Sequence, residues 1–521
     1  MIDVHDAHKR LVIPKWLSLA AATQRRDIEI PRSTPFALDS ATRRKLEDDY
    51  VEFKHSPNPL AASDLMGSAF VVGEMGLAVE AATYVKKSSF LQKPTVRLAD
   101  RILNLQAGEE PLAGIQVRIA HFKINLSEFP NNPLHWIELA RLYTIKGQLE
   151  KAKRATTVAL ALAPSNRYVV RSSARFYIHI GDIEAAWHCA HKALALSQDP
   201  WIEATLVNVG MWLNKSPRQL TKWTPSEIPP NALYRYSELM ETRGMIELES
   251  GNDRRAKKHF RTAWSDPSDN VVTHGEWILR NWLPGMSESA KLDLSASPEA
   301  EAWDQYWLLN LEKSMAAIRE WGLEEPYSRH PWILGSSVAC QMNRYKEAEE
   351  QARQGLLANP RDFLLHNNLA FALLKSGRPD EAESVLKSSA EPNTETERPV
   401  SLATKGLLEF KRGRIERGRE FYLKAVEECA KAKNPRLLAK AYLNLAIAEV
   451  ETEGARAAEF VTAAIKAAKK HEDPDITLTA RQLSRVIESK EKSLGFPFGG
   501  QMSKQRQELI ALVQVVEQDK K

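Results

Sequence analysis

The sequence is poor in the residues and patterns that mark most functional classes. It has three cysteines among 521 residues, Cys189, Cys340 and Cys429, far apart and odd in number. That excludes a disulfide framework and paired zinc-ligand motifs, and it suits a reducing compartment with buried or half-buried thiols. Excess charge of either sign is also missing: 72 Lys and Arg stand against 67 Asp and Glu, a formal net charge of +5. Such a balance does not by itself mark a nucleic-acid binder. No apolar run approaches the roughly 18 residues a membrane span needs. Met1 to Arg10 carries Asp3, His5, Asp6 and His8 where a signal peptide would have an apolar core. A cytoplasmic protein without membrane association is the expectation. Catalytic signatures are absent too: the Walker phosphate loop, Gly-x-Gly-x-x-Gly, His-Glu-x-x-His, Gly-x-Ser-x-Gly and Cys-x-x-Cys. No catalytic residue, cofactor or metal is expected. Asp3, His5, Asp6 and His8 sit at a terminus prone to fray. One helix cannot turn His188, Cys189 and His191 to one point, because neighbours diverge by about 100°.

What the sequence has in quantity is self-similarity. From Asn132 to Pro200 a helix–turn–helix unit is repeated with a period of about 34 residues. Its strongest marks are small residues at the eighth, twentieth and twenty-seventh places. These are Ala140, Ala152 and Ala159, then Ala174, Ala186 and Ala193. Small side chains there let antiparallel helices approach, and large residues at the fourth and eleventh places fill the gaps around them. Gly147 and Gly181 mark the turn; Pro164 ends the first copy and Pro200 falls just after the second. The frame recurs from Ala62, Ser237, Arg329, Phe363 and Arg398, with a looser copy near Ala439.

Trp136, Leu139, Ala140, Tyr143, Ala152, Ala159 and Pro164 match the series of the tetratricopeptide repeat family one by one, with Thr156 departing at the aromatic place. The sequence resembles that family over residues 62–475. The resemblance implies an all-α fold: a right-handed superhelical solenoid of antiparallel helix pairs, about nine or ten repeats long, with a degenerate Trp-rich middle. The divisions it suggests are residues 1–61 as an N-terminal arm, 62–200 as N-terminal repeats and 201–328 as degenerate repeats. Residues 329–493 are C-terminal repeats and 494–521 a hinge and terminal helix. The arm, with a helix over Ser40 to Phe53, either covers the apolar end of the first repeats or docks on another chain through Trp16. Eleven of the 13 tryptophans lie between Trp187 and Trp332. They either pack the core where small residues are lost or form an exposed binding surface. The last helix, Ser503 to Glu517, either caps the solenoid or, tethered by the Gly495–Gly500 hinge, inserts into a partner or a second copy.

In the resembled family partners lie along the concave face, at the fifth, sixth, ninth and thirteenth places of each first helix. Here those are Arg171, Ser172, Arg175 and His179, with Arg141 from the preceding repeat. This basic patch suits an acidic peptide tail or a nucleic-acid backbone; the plainer reading is a solvated face near Glu138 and Asp182. The Phe363 repeat offers Asn367, Asn368, Phe371 and Lys375, whose asparagines can hold the main chain of an extended peptide. Ile333, Ser337 and Ala403 leave the chaperone-tail clamp of some members incomplete. Glu238, Glu241 and Glu249 make the groove patchy in sign, which suits a protein partner better than a uniform polyanion. The resemblance therefore implies a non-enzymatic scaffold or adaptor that binds and regulates another protein, an effector chain. The alternative is a nucleic-acid binder with Arg141, Arg171 and Arg175 on phosphates. Against it, the fifth place reads Ile137, Arg171, Glu241, Ile333 and Asn367, without the recurrence of an RNA reader. Self-association through the terminal helices is a third reading.

Overall fold

The computed structural model describes residues 11–24, 40–72, 74–88, 93–106, 114–215, 228–286, 292–471, 473–494 and 499–518. Among them all regular secondary structure is helical, and the protein is an all-α solenoid. Asp3, His5, Asp6, His8 and most of the Gly495–Gly500 hinge lie outside the described residues. The chain forms two compact units, Leu17–Ser127 and Glu128–Lys521 together with Met1–Trp16. This division by packing differs from the five-part division by repeat regularity.

In the smaller unit helix Ser40–His55 packs on Pro59–Val72, which in turn packs on Met75–Lys86. Asn58 starts the Pro59–Val72 helix by accepting from the Leu60 and Ala61 N–H groups, both at 3.0 Å. Leu46 and Phe53 close over Ala62, Leu65, Met66 and Ala69, and Ala81, Ala82 and Val85 complete the layer. The helix predicted at Ser40–Phe53 is present as Ser40–His55 and packs on the apolar side of its neighbour.

The larger unit repeats one local design. An Asn or Asp caps each of several first helices: Asn132 accepts from Leu134 N–H, Asn166 from Val169 N–H and Asp362 from Leu364 N–H. A glycine in the left-handed region turns the chain into the second helix, as Gly147 does at φ +66°. The six repeat alanines from Ala140 to Ala193 are all fully buried. First helices touch first helices: Pro133–Ile145 meets Arg167–His179, which meets Pro200–Trp212. The same holds for His330–Gln341, Phe363–Lys375, Glu397–Lys411 and Pro435–Glu451.

Among the described residues of 201–328 two such pairs remain. Leu233–Glu249 packs on Asp253–Ala263, and Pro298–Trp307 on Leu311–Glu324, with helix Asp269–Asn281 between them in the chain. Most of its tryptophans are core: Trp201, Trp264, Trp277, Trp303 and Trp321 are buried, while Trp212 and Trp282 are exposed. Where Gly244 leaves a gap, the Phe260 ring fills it so closely that an added Cβ would stand 2.5 Å away. Trp264 stacks on that ring at 5.5 Å.

Two features close the unit. Helix Pro133–Ile145 meets helix Tyr345–Ala358, so the intervening repeats complete a turn. Beside this contact, at Gly147, a Cβ would lie 2.7 Å from the Leu357 carbonyl oxygen. At the other end helix Gly499–Gln518 buries Met502, Leu509 and Val513 in the core formed with Phe460, Val461 and Ala464. That is the capping arrangement. Cys340 and Cys429 are buried and Cys189 half-buried, all as free thiols.

Candidate functional site

Residues Leu11–Trp16 have no regular secondary structure and lie in the groove of the larger unit. Pro14 keeps Ile13 out of the helical region and removes one N–H donor, so an extended path is the local preference. The groove holds this path by its main chain. Val12 N–H donates to Asn208 Oδ1 at 3.1 Å. Asn208 is oriented in turn, because its amide nitrogen donates to the Ala204 carbonyl and to Thr242 Oγ1, both at 2.8 Å. Trp16 N–H donates to the Tyr327 hydroxyl at 3.0 Å, and Arg141 Nε donates to the Trp16 carbonyl at 3.1 Å. Arg141 Nη2 reaches on to the Glu324 carbonyl at 3.0 Å.

Side chains add selectivity. Leu11 packs on Val207 and Met211. The Lys15 ammonium lies 2.9 Å from each carboxylate oxygen of Asp269 and 3.4 Å from Ser297 Oγ. Trp16 is fully buried between Phe176, edge-on at 6.2 Å, and Tyr327 at 5.5 Å. Glu325 organises the far wall, accepting from Tyr327 OH and Trp321 Nε1, both at 3.0 Å, with Arg175 at 3.5 Å. Beside the segment a cavity of ≈ 730 Å³ remains, lined by Arg175, His179, Trp212, Trp277, Arg329 and His330 among others. Burial, with the nearby Arg175 charge adding to it, lowers the His179 pKa to about 3, so its imidazole is neutral at physiological pH.

The residues expected to meet a partner fall into three situations. Arg141 and Arg171 are buried and engaged within the chain, a correction to the basic-patch expectation. Arg141 holds the Trp16 segment, and Arg171 pairs with Glu238 at 2.7 Å while lying 4.4 Å over the Trp201 ring. Burial with an internal carboxylate or carbonyl partner occupies both forks within the chain. Arg175 and His179 do line the open cavity. Asn367, Asn368 and Phe371 come together around a separate cavity of ≈ 30 Å³, room for about one water. Their amides are internally engaged as well: Asn368 Nδ2 donates to Ser336 Oγ at 2.9 Å, and Asn367 Oδ1 accepts from Thr404 at 2.7 Å. Lys375 pairs with Glu451 at 2.6 Å. The amide that holds an extended main chain is Asn208, at a place the repeat reserves for a small residue. Its departure from Ala140 and Ala174 at the equivalent places was the available signal.

The His188, Cys189 and His191 cluster has three separate roles. Trp187 stacks on His191 at 4.6 Å and meets His188 edge-on at 5.2 Å. Burial pushes the Cys189 thiol up to about 12, and its Sγ faces the Ala186 carbonyl at 3.1 Å.

The stacked helix pairs define a helical-repeat protein. Residues 339–405 match the tetratricopeptide repeat family, and the helix pairs described above are similar to repeats of that family. No curated protein matches the chain. Solved structures that match include the yeast Tom70, at 12% identity and a TM-score of 0.31, covering 88% of this chain and 96% of that one. Another is the APC/C hetero-tetramer Cut9-Hcn1, at 13% identity and a TM-score of 0.22, covering 74% and 96%. Among the described residues no helix is long and apolar enough to cross a membrane.

Proposed function

We propose that this chain is a non-enzymatic cytoplasmic scaffold that binds and regulates another protein, an effector chain, through the groove of its larger unit. One observation carries the reading: the groove already holds an extended segment by its main-chain N–H and carbonyl groups, at Val12 and Trp16. Main-chain recognition of that kind suits a peptide and not a polyanion. The cavity beside the segment, with exposed Trp212 on its wall, is the proposed point of entry for the partner. Large exposed aromatics on a concave wall are the groups that anchor protein interfaces.

The test is capture of the full chain from its native cells, with nuclease treatment in parallel, beside a Trp212→Ala variant. The expected result is a stoichiometric protein that survives nuclease and is lost from the variant. Recovery of nucleic acid alone, or a partner indifferent to Trp212→Ala, overturns the proposal.

A further inference from the structure

The groove treats the two ends of the Leu11–Trp16 segment differently. At Val12 it touches main chain, which any sequence supplies. At Lys15 and Trp16 it reads side chains. The Lys15 side chain is 7% exposed and faces a built acidic subsite, in which Asp269 supplies two oxygens and Ser297 a third. Ser297 is itself held by Thr273 at 2.7 Å. Directly after it, Trp16 fills a slot walled by Phe176 and Tyr327. The order of the subsites is thus cation first, large aromatic second, on a peptide kept extended by the Arg141 and Tyr327 bonds.

We propose that the groove reads a protein segment with a basic residue followed by an aromatic one, and that residues 11–16 occupy it in cis until a partner carrying such a segment displaces them. This rests on the groove being the partner-binding face. Two observations support displacement over a permanent plug, and a third sets the selectivity. The contacts are those of a bound peptide, made by side chains of the groove to a segment without regular secondary structure. The cavity of ≈ 730 Å³ lies along Leu11, Val12, Ile13 and Lys15, so an incoming chain has room beside the resident one. Asp269 makes the lysine subsite acidic, so a segment with Asp or Glu at that place meets like charge and is rejected. A tethered ligand competes at a high effective concentration, so the closed state is the resting one.

The probe is a fluorescein-labelled peptide with the sequence of residues 11–16, titrated by anisotropy into the full chain. A Lys15→Ala/Trp16→Ala variant empties both subsites and is expected to bind the peptide about tenfold or more tightly than the unaltered protein does. Equal affinity for both proteins overturns the proposal. So does failure to bind by a variant whose circular dichroism and melting match the parent. If the double variant does not fold, Asp269→Lys serves, since it leaves Trp16 and its slot unaltered. It is expected to take a peptide with Glu in place of Lys and to refuse the original. Preference for the original peptide, or binding of neither, overturns the proposal. A folded variant that binds no peptide refutes this inference alone, because capture of the partner by the whole groove is a separate measurement.

Discussion

Arg171 on helix Arg167–His179 and Glu238 on helix Leu233–Glu249 have their charged ends 2.7 Å apart, both nearly cut off from water. Glu238 also accepts from Ser268 Oγ at 3.2 Å and Asn270 Nδ2 at 2.7 Å, so the carboxylate is a hub and not merely a counter-charge. Removing one partner of such a pair strands the other. Glu238→Ala should lower the denaturation midpoint by the equivalent of about 3–5 kcal/mol, because Arg171 stays buried without its carboxylate. The double variant Arg171→Met/Glu238→Gln should lose much less, since Gln keeps an acceptor for Ser268 and Asn270. Chemical denaturation of the three proteins side by side measures the difference.

Gly147 and Gly377 have the same backbone sign and different surroundings. Both turn at positive φ, +66° and +76°, but only Gly147 would drive a Cβ into a neighbouring carbonyl, at Leu357. Gly377→Ala should therefore cost about 1–2 kcal/mol, the left-handed penalty alone. Gly147→Ala should cost more and should raise amide exchange in both Pro133–Ile145 and Tyr345–Ala358. Hydrogen exchange confined to the mutated turn would contradict this.

His179 supplies a pH dependence of known sign. Its folded pKa is lowered from the ordinary 6.5 to about 3, so below 6.5 the unfolded chain binds a proton that the folded chain does not. Stability from this residue is complete above pH 6.5 and falls as the pH drops towards 3. In His179→Gln the fall of the melting temperature between pH 7 and 4 should be shallower. An unchanged slope would mean that His179 titrates freely.

Asn208 is the expected guardian of the Val12 amide. Asn208→Ala removes its acceptor, and loss of one hydrogen bond corresponds to about 1 kcal/mol. Exchange of the Val12 amide should rise about fivefold, measured by fragment-resolved mass spectrometry. No change would show that the amide is shielded by packing alone.

The fold was legible because its signal is local. Ala140, Ala152 and Ala159 recur as Ala174, Ala186 and Ala193 since each pair of helices meets the next in the same way, and all six are buried as that spacing requires. The Trp-rich middle reads as interrupted because prolines and tryptophans break the spacing on either side of the frame from Ser237; Leu233–Glu249 still packs on Asp253–Ala263, and Pro298–Trp307 on Leu311–Glu324. The site was legible in part. Arg175 and His179 lie on the groove as their repeat places imply. Arg141 was found by the same rule and misread, because its partner, the Trp16 carbonyl, stands 125 residues earlier, outside the repeats. Trp16 does act as an anchor, within its own chain. Such pairings depend on small rotations summed over many repeats, which no window of the sequence contains.

A chain of stacked helix pairs is usually a soft spring that lengthens under small loads by tilting each pair on the next. The meeting of Gly147 with Leu357 makes this spring a clasped one. Tension across residues 133–358 must first open the clasp before the coil can extend, so the response to pulling should show a threshold instead of a gradual rise.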